Sequence, residues 1–302
     1  EWKVQRSQRA RKRVQNAHQQ AIPVRTIPWD ITEPGHFELD LVHHCGGRLE
    51  GEYVYTLQIV DVATGWSGRR AILGRSYIVV ADALHYLINH LPFPIRELHP
   101  DNGSEFLNAN LLRFLGEFYP EMDWSRSAPG KPNHNRNVEQ KNSSLVRAFL
   151  GDMRLDTVTQ TRFLNSIYEQ MHTYHNFIQP VMHQIEKKWI STDNGSGGYT
   201  RRKHDSPVPP VVRLCKSKTL SLNQNVELLA LRDAINPLAL RRKIHADLQH
   251  LYRYDCAKPG ETQDVFQTLA YPELFPEAVA ALGLTDSIDS TPTSKEAGLT
   301  VR

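Results

Sequence analysis

His36-Phe-Glu-Leu-Asp-Leu-Val42 opens the stretch that decides the fold. Phe37, Leu39 and Leu41 alternate, so they share one face of a strand over 36–42 and leave Asp40 on the other. Tyr53-Val-Tyr-Thr-Leu-Gln-Ile-Val60 reads as a second strand and residues 66–73 as a third. Asp61-Val-Ala-Thr-Gly65 supplies the turn between the last two. Three consecutive strands with short connections predict an antiparallel meander.

Downstream, Ile78, Ala81, Leu84, Leu87 and Ile88 recur at helical spacing over 76–90, and Pro92 and Pro94 end that helix. A short strand at 95–99 leads into Asp101. A helix is predicted over 104–118, a strand near 122–126, and helices over 135–151 and 160–178. Strands followed by alternating helix and strand make an α/β domain with a mixed sheet, flanked by helices, over 36–180. Residues 1–35 read as a basic N-terminal segment and extended lead-in, punctuated by Pro23, Pro28 and Pro34. Asn194-Gly-Ser-Gly-Gly198 and Pro207, Pro209 and Pro210 suggest a basic linker over 181–210. A smaller C-terminal unit is expected over 211–256, with a helix at 238–254, followed by a flexible acidic tail over 257–302.

A net charge of +3 over 302 residues conceals a polar distribution. Lys3, Arg6, Arg9, Arg11, Lys12 and Arg13 face only Glu1 in the first segment, and Arg201, Arg202, Lys203, Arg213, Lys216 and Lys218 face only Asp205 in the second. Basic arms suit a polyanion, because each neutralised phosphate releases counterions. No run approaches the roughly 20 apolar residues of a membrane span, and no secretory signal is read, so no membrane partner is expected and a cytoplasmic, nucleoid-associated place is. Three widely separated cysteines argue against a disulfide framework. His43-His44-Cys45 resembles metal-ligand chemistry, but adjacent strand residues point to opposite faces, which favours a polar strand end over a zinc site.

Three acids stand out. Asp40 lies on the polar face of the first strand, Asp101 opens the turn Asp101-Asn-Gly-Ser-Glu-Phe106, and Glu139 follows Val138 in a helix. At about 100° per residue, Val138, Leu145 and Phe149 form the apolar face of that helix; Glu139 and Val146 border it, and Arg136, Gln140, Ser143 and Arg147 lie further towards solvent. Taken singly, these acids are a strand-end carboxylate, a turn residue and an exposed helix residue. Asp61 is a competitor, but its turn suggests backbone capping; Glu105 and Asp123 read as a helix-start residue and a solvent residue. Carboxylates suffice to hold Mg²⁺, which prefers hard oxygen ligands.

In combination the motifs resemble the catalytic core of DDE transposases and retroviral-type integrases, bacterial insertion-sequence transposases above all. Phe37-Glu-Leu-Asp40, Asp61-Val-Ala-Thr-Gly-Trp66, His99-Pro-Asp-Asn-Gly-Ser-Glu-Phe106 and Asn137-Val-Glu-Gln-Lys-Asn142 carry the resemblance, and 37 residues separate Asp101 from Glu139. It continues through Tyr174-His-Asn-Phe-Ile-Gln-Pro-Val-Met182, Asp205-Ser-Pro207 and Asn236-Pro-Leu-Ala-Leu-Arg-Arg242, so it covers roughly residues 20–256. It implies a ribonuclease H-like fold with a five-stranded mixed sheet. It also implies two Mg²⁺ or Mn²⁺ ions on Asp40, Asp101 and Glu139, metal-dependent nicking and 3′-hydroxyl strand transfer on double-stranded DNA, and assembly as at least a dimer. Lys131, Arg136, Gln140, Lys141 and Arg147, with Arg201, Arg202 and Lys203, are the expected DNA contacts. The basic segments at 1–20 and 201–218 carry no visible scaffold to aim them at bases, so phosphate contact is expected of them. Gly130 stands where relatives often carry an aromatic residue, and Asn137 where they carry a small one. A nuclease that only hydrolyses, or a DNA-binding protein that has lost catalysis, are the competing functions.

Overall fold

The computed structural model describes residues 22–28, 30–101, 103, 105–128, 136–191, 198–258 and 260–276. The basic segment at 1–20, Lys131, Gly130 and the tail beyond 276 lie outside them.

The meander forms where the alternation places it: β1 (His36–His43), β2 (Val54–Asp61) and β3 (Ser67–Leu73). Helix α1 (Tyr77–Asn89) precedes β4 (Glu97–Pro100); α2 (Ala109–Phe118) precedes β5, which is only Asp123–Trp124. The sheet order is β3-β2-β1-β4-β5, with β2 antiparallel to both neighbours and β1, β4 and β5 mutually parallel. This is the five-stranded mixed sheet of a ribonuclease H-like fold. Every residue of β2 is buried because helices cover both faces.

Phe37, Leu39 and Leu41 join one core with Leu57 and Ile59 of β2, Leu84 of α1 and Leu111 and Leu115 of α2. The opposite face carries Val42, Val54, Ala71 and Leu73, covered by a second helical layer. That layer begins with α3 (Arg136–Lys141), continued by a π-helical turn Asn142–Arg147 and a last turn Ala148–Leu150. It includes α4 (Val158–Thr173), capped by the reciprocal Thr157–Gln160 box and continued by a second π turn, Tyr174–Ile178. The first π turn shifts the helical phase, so Val146, expected at the border of the apolar face, is fully buried.

Several expectations are corrected. The helix predicted from 104 starts at Ala109, because the Asn108 side chain accepts from Leu111 N at 2.9 Å and caps it there. Residues 181–210 are not a linker. They carry a two-stranded ribbon, β6 (Gln184–Ser191) and β7 (Gly198–His204), and the glycine-rich run falls between its strands. Residues 211–256 are the helices α5 (Pro210–Lys216), α6 (Leu222–Ala234) and α7 (Pro237–Leu251). Val211 and Leu214 of α5 enter the first core, and Ile244, Leu248 and Leu251 of α7 the second. The tail expected to be flexible from 257 is packed as far as 276. The buried Asp82 carboxylate of α1 accepts from Ala270 N at 2.9 and 3.0 Å and from Tyr271 N at 2.7 Å, and Phe275 is buried.

Candidate active site

Sheet topology brings the three acids to one end of the molecule. Asp40 sits on β1, Asp101 follows β4, the parallel neighbour of β1, and Glu139 lies in α3, which crosses the Asp40 face. Asp40 Oδ1 accepts from Leu41 N at 2.8 Å and Oδ2 from Asn142 Nδ2 at 2.6 Å. Burial pushes the Asp40 carboxyl up to about 7, and the charges of Asp101 and Glu139 push the same way; the Leu41 N–H and Arg147 oppose them. Asp101 is raised chiefly by burial, with Glu105 adding to it, while its Oδ1 accepts from Gly103 N at 2.8 Å. Glu139, though exposed, is raised by partial burial and by Asp101. The charge of Asp101 thus acts on both of the other acids, and Asp40 feels both Asp101 and Glu139. Burial is the larger cause throughout, with mutual repulsion second.

Glu105, expected at a helix start, instead stands in a turn beside Asp101. Any side chain at Gly103 would collide with both: a Cβ there would lie 2.7 Å from Glu105 Oε1 and 2.9 Å from Asp101 Oδ1. Among the described residues no three His, Cys, Asp or Glu side chains stand close enough to grip a single ion. The donor chemistry nevertheless fits a hard divalent cation: oxygen-only ligands whose crowded charges a cation would relieve.

The residue that fixes α3 over Asp40 escaped the sequence reading. Glu38, only 3 % exposed, accepts from Asn137 N at 2.7 Å, Asn137 Nδ2 at 2.8 Å and Val138 N at 2.8 Å. These backbone N–H groups belong to the first helical turn and have no partner within the helix, and a carboxylate at that positive end is favoured twice over. Burial still pushes Glu38 up to about 7. Asn137, the departure from the family pattern, is therefore the side-chain half of this clamp. The available signal was period two: Glu38 shares the Asp40 face, so a carboxylate there had to find a partner under a helix.

Asp61 is the backbone cap it was read to be, accepting from Gly35 N at 2.8 Å, Thr64 N at 2.8 Å and Thr64 Oγ1 at 2.6 Å. His44 bonds Thr56 Oγ1 at 2.7 Å on the inner face, while His43 points outward to the Tyr53 hydroxyl at 3.2 Å.

Of the expected DNA contacts, Arg136, Gln140 and Lys141 of α3 line one cleft with Arg202 and His204 of β7. Lys141 is held down to about 8 by burial and by the charge of Arg69. Arg147 lies outside that cleft, exposed, within electrostatic reach of Asp40. Arg201 and Lys203 are exposed on β7 and do not line the cleft. No helix among the described residues is long and apolar enough to cross a membrane.

No family model matches the chain. An uncharacterized protein of Sinorhizobium fredii, y4rM, is 31% identical over 207 residues, covering 68% of this chain and 57% of the relative, so the chain spans little more than half of it. Among solved structures, a chain of the simian T-cell lymphotropic virus intasome in complex with the PP2A regulatory subunit B56 gamma matches at 14% identity and a TM-score of 0.40, covering 52% of each chain. The catalytic core domain of BIV integrase matches at 16% identity and a TM-score of 0.36, covering 48% of this chain and 85% of that one.

Proposed function

We propose that this chain is a DNA transposase or integrase that nicks a DNA strand and joins a 3′-hydroxyl end to target DNA. Asp40, Asp101 and Glu139 are its metal-binding catalytic acids. One observation carries the reading: carboxylates from β1, the end of β4 and α3 meet at one end of the sheet, where the charge of Asp101 raises the proton affinity of Asp40 and Glu139, although 60 and 37 residues lie between them in sequence. A fold that gathers acids at such a cost has a cation to bind.

Bound there, Mg²⁺ or Mn²⁺ would supply a nucleophile at neutral pH and neutralise the leaving oxygen. The chain's own part is orientation. Asn142 and the Leu41 N–H fix the Asp40 carboxylate, the Gly103 N–H fixes Asp101, and Glu38 with Asn137 fixes the helix that presents Glu139. Arg136 and Lys141 face the cleft alongside, placed to hold phosphate oxygens in register with the acids. The substrate is double-stranded DNA, and joining two ends calls for at least a dimer.

Strand transfer by Glu139→Gln protein, with Mg²⁺ and with Mn²⁺, tests the proposal. Joining should be lost in both metals while duplex binding persists; wild-type joining would sink the three-acid reading. A wild-type protein that nicks without joining is a hydrolytic nuclease, and one that binds without cutting has lost catalysis.

A further inference from the structure

The β6–β7 ribbon has no place in a catalytic core that needs only its acids. It pairs with no other sheet, and both faces meet solvent. Ile185, Trp189 and Tyr199 are all at least half exposed, Trp189 to 68 %. An isolated two-stranded ribbon is marginal on its own, so a ribbon this exposed suits a partner that covers it.

Charge identifies the partner. The two strands carry Lys187, Lys188, Arg201, Arg202 and Lys203 against Glu186 alone, five positive charges to one negative. A second copy of this chain would bring like charge to like, whereas a polyanion would be attracted. The register then separates the faces. Lys188 and Arg201 are paired, as are Glu186 and Lys203, and Lys188 bonds Glu186 at 2.5 Å, so that face spends part of its charge internally. On the other face Lys187 pairs with Arg202 and Trp189 with Thr200, with no strand acid among them. Arg202 also lines the cleft against α3. Trp189 is seated in a defined way: a Cβ at Gly198 would stand 2.6 Å from indole Cζ2, so only glycine lets the ring lie against that backbone while its other side stays open.

We propose, building on the reading above that the chain works on DNA, that this ribbon lies in a groove of duplex DNA with its Lys187–Trp189–Arg202 face inward. Eight residues of strand extend about 26 Å at roughly 3.3 Å each, enough to cross a major groove about 12 Å wide, which admits a two-stranded ribbon. The basic triplet therefore does have a scaffold, contrary to the expectation from sequence. Arg202 contacts the duplex from the inner face, and Arg201 and Lys203 are turned away from it. Through Arg202 the same face leads into the cleft lined by Arg136 and Lys141 of α3, the helix that carries Glu139.

Binding of a fluorescent duplex of about 30 base pairs to the full chain, across a salt series, tests this. Lys187→Ala with Arg202→Ala should weaken binding at least tenfold and reduce the salt slope by about 1.8, two contacts at about 0.9 each. Lys188→Ala with Arg201→Ala should cost less than half of both effects, and Trp189→Ala should lower affinity with the slope unchanged. Equal losses from the two faces, or none from the Lys187–Arg202 pair, would overturn the docking. So would tighter binding to a single strand of the same length, or a protein dimer that dissociates in the Lys187–Arg202 variant without DNA. Strand transfer measured beside it separates the two proposals. A wild type that never joins DNA but shows the face-dependent loss keeps the ribbon and loses the catalytic reading; joining without face dependence does the reverse.

Discussion

Replacing Asp40 with Asn should make the metal-free protein more stable at pH 8, and the size of the gain follows from where Asp40 sits. The Asp40 proton is held to about pH 7 against an ordinary 3.8. Between those values the unfolded chain has released the proton and the native chain has kept it. The unfolded state therefore binds fewer protons, and stability falls as pH rises through that window. About three units at 1.36 kcal/mol each put the loss at about 4 kcal/mol by pH 8, of which between about 1 and 2 kcal/mol is already lost at pH 5. Asn has the shape of the protonated acid: its oxygen still accepts from Leu41 N, and its amide nitrogen donates to Asn142 once that amide turns its buried, unpartnered Oδ1 inward. Asp40→Asn should thus match wild type in strong acid and hold its stability as pH rises.

Thermal unfolding followed by circular dichroism in EDTA, from pH 5 to pH 8, reads this directly. The difference between the two proteins should widen by about 2–3 kcal/mol across the range, or roughly 4–12 °C in Tm at 2–4 °C per kcal/mol. Glu38, also raised to about 7, contributes the same slope to both proteins and cancels. Mg²⁺ at a hundred times its Kd should restore about 2.7 kcal/mol to wild type at pH 8 and much less to the variant. Parallel Tm curves for the two proteins would refute the argument, because Asp40 would then carry no excess proton in the folded state.

Two further outcomes follow from the clamp and the tail. Asn137→Ala strands one oxygen of the buried Glu38 carboxylate and should cost about 1–3 kcal/mol in denaturant unfolding, with strand transfer reduced and duplex affinity unchanged; a loss under about 0.5 kcal/mol would show that the side-chain bond is dispensable. Asp82→Ala removes the acceptor for Ala270 N and Tyr271 N, and should cost about 2 kcal/mol and speed proteolysis within 257–276; a cleavage rate equal to wild type would mean that the aromatic contacts alone hold this segment.

The meander was legible because its signal is local: alternation in β1 and a turn at Asp61 need no distant partner. The sheet end of Asp101 and the helix of Glu139 were legible for the same reason. What sequence alone misses depends on partners far along the chain. Glu38 looks like a surface acid until Asn137 and Val138, about 100 residues later, arrive over it. Asp82, in the middle of an apolar helix, makes sense only once Ala270 and Tyr271 reach it, 188 and 189 residues on. The ribbon was hidden for a different reason. Gly and Ser between its strands are the strongest linker signal, and its alternation puts charges on both faces, so no wholly apolar face announces a strand.

The charges around α3 carry the functional argument furthest. Asp40 and Glu139 form no salt bridge with another described residue, and neither do Arg136, Lys141 and Arg202 in the adjoining cleft. Beneath the helix, Asp40, Gln58 and Arg69 stand in register across three strands. Arg69, wholly buried, bonds Ser67 Oγ at 2.7 Å, His175 Nδ1 at 2.8 Å and Gln58 Oε1 at 3.3 Å, neutral groups all, and burial holds it down to about 10. Gln58 stands between Asp40 and Arg69 and keeps acid from base. A direct Asp40–Arg69 pair would have lowered the Asp40 carboxyl and stabilised the fold. The register instead leaves an excess of negative charge at Asp40 and Glu139 and an excess of positive charge in the cleft that Arg136, Lys141 and Arg202 line. Each excess destabilises the protein alone, and each is relieved by a different part of one substrate complex: the acids by a divalent cation, the bases by the phosphates that the cation would meet.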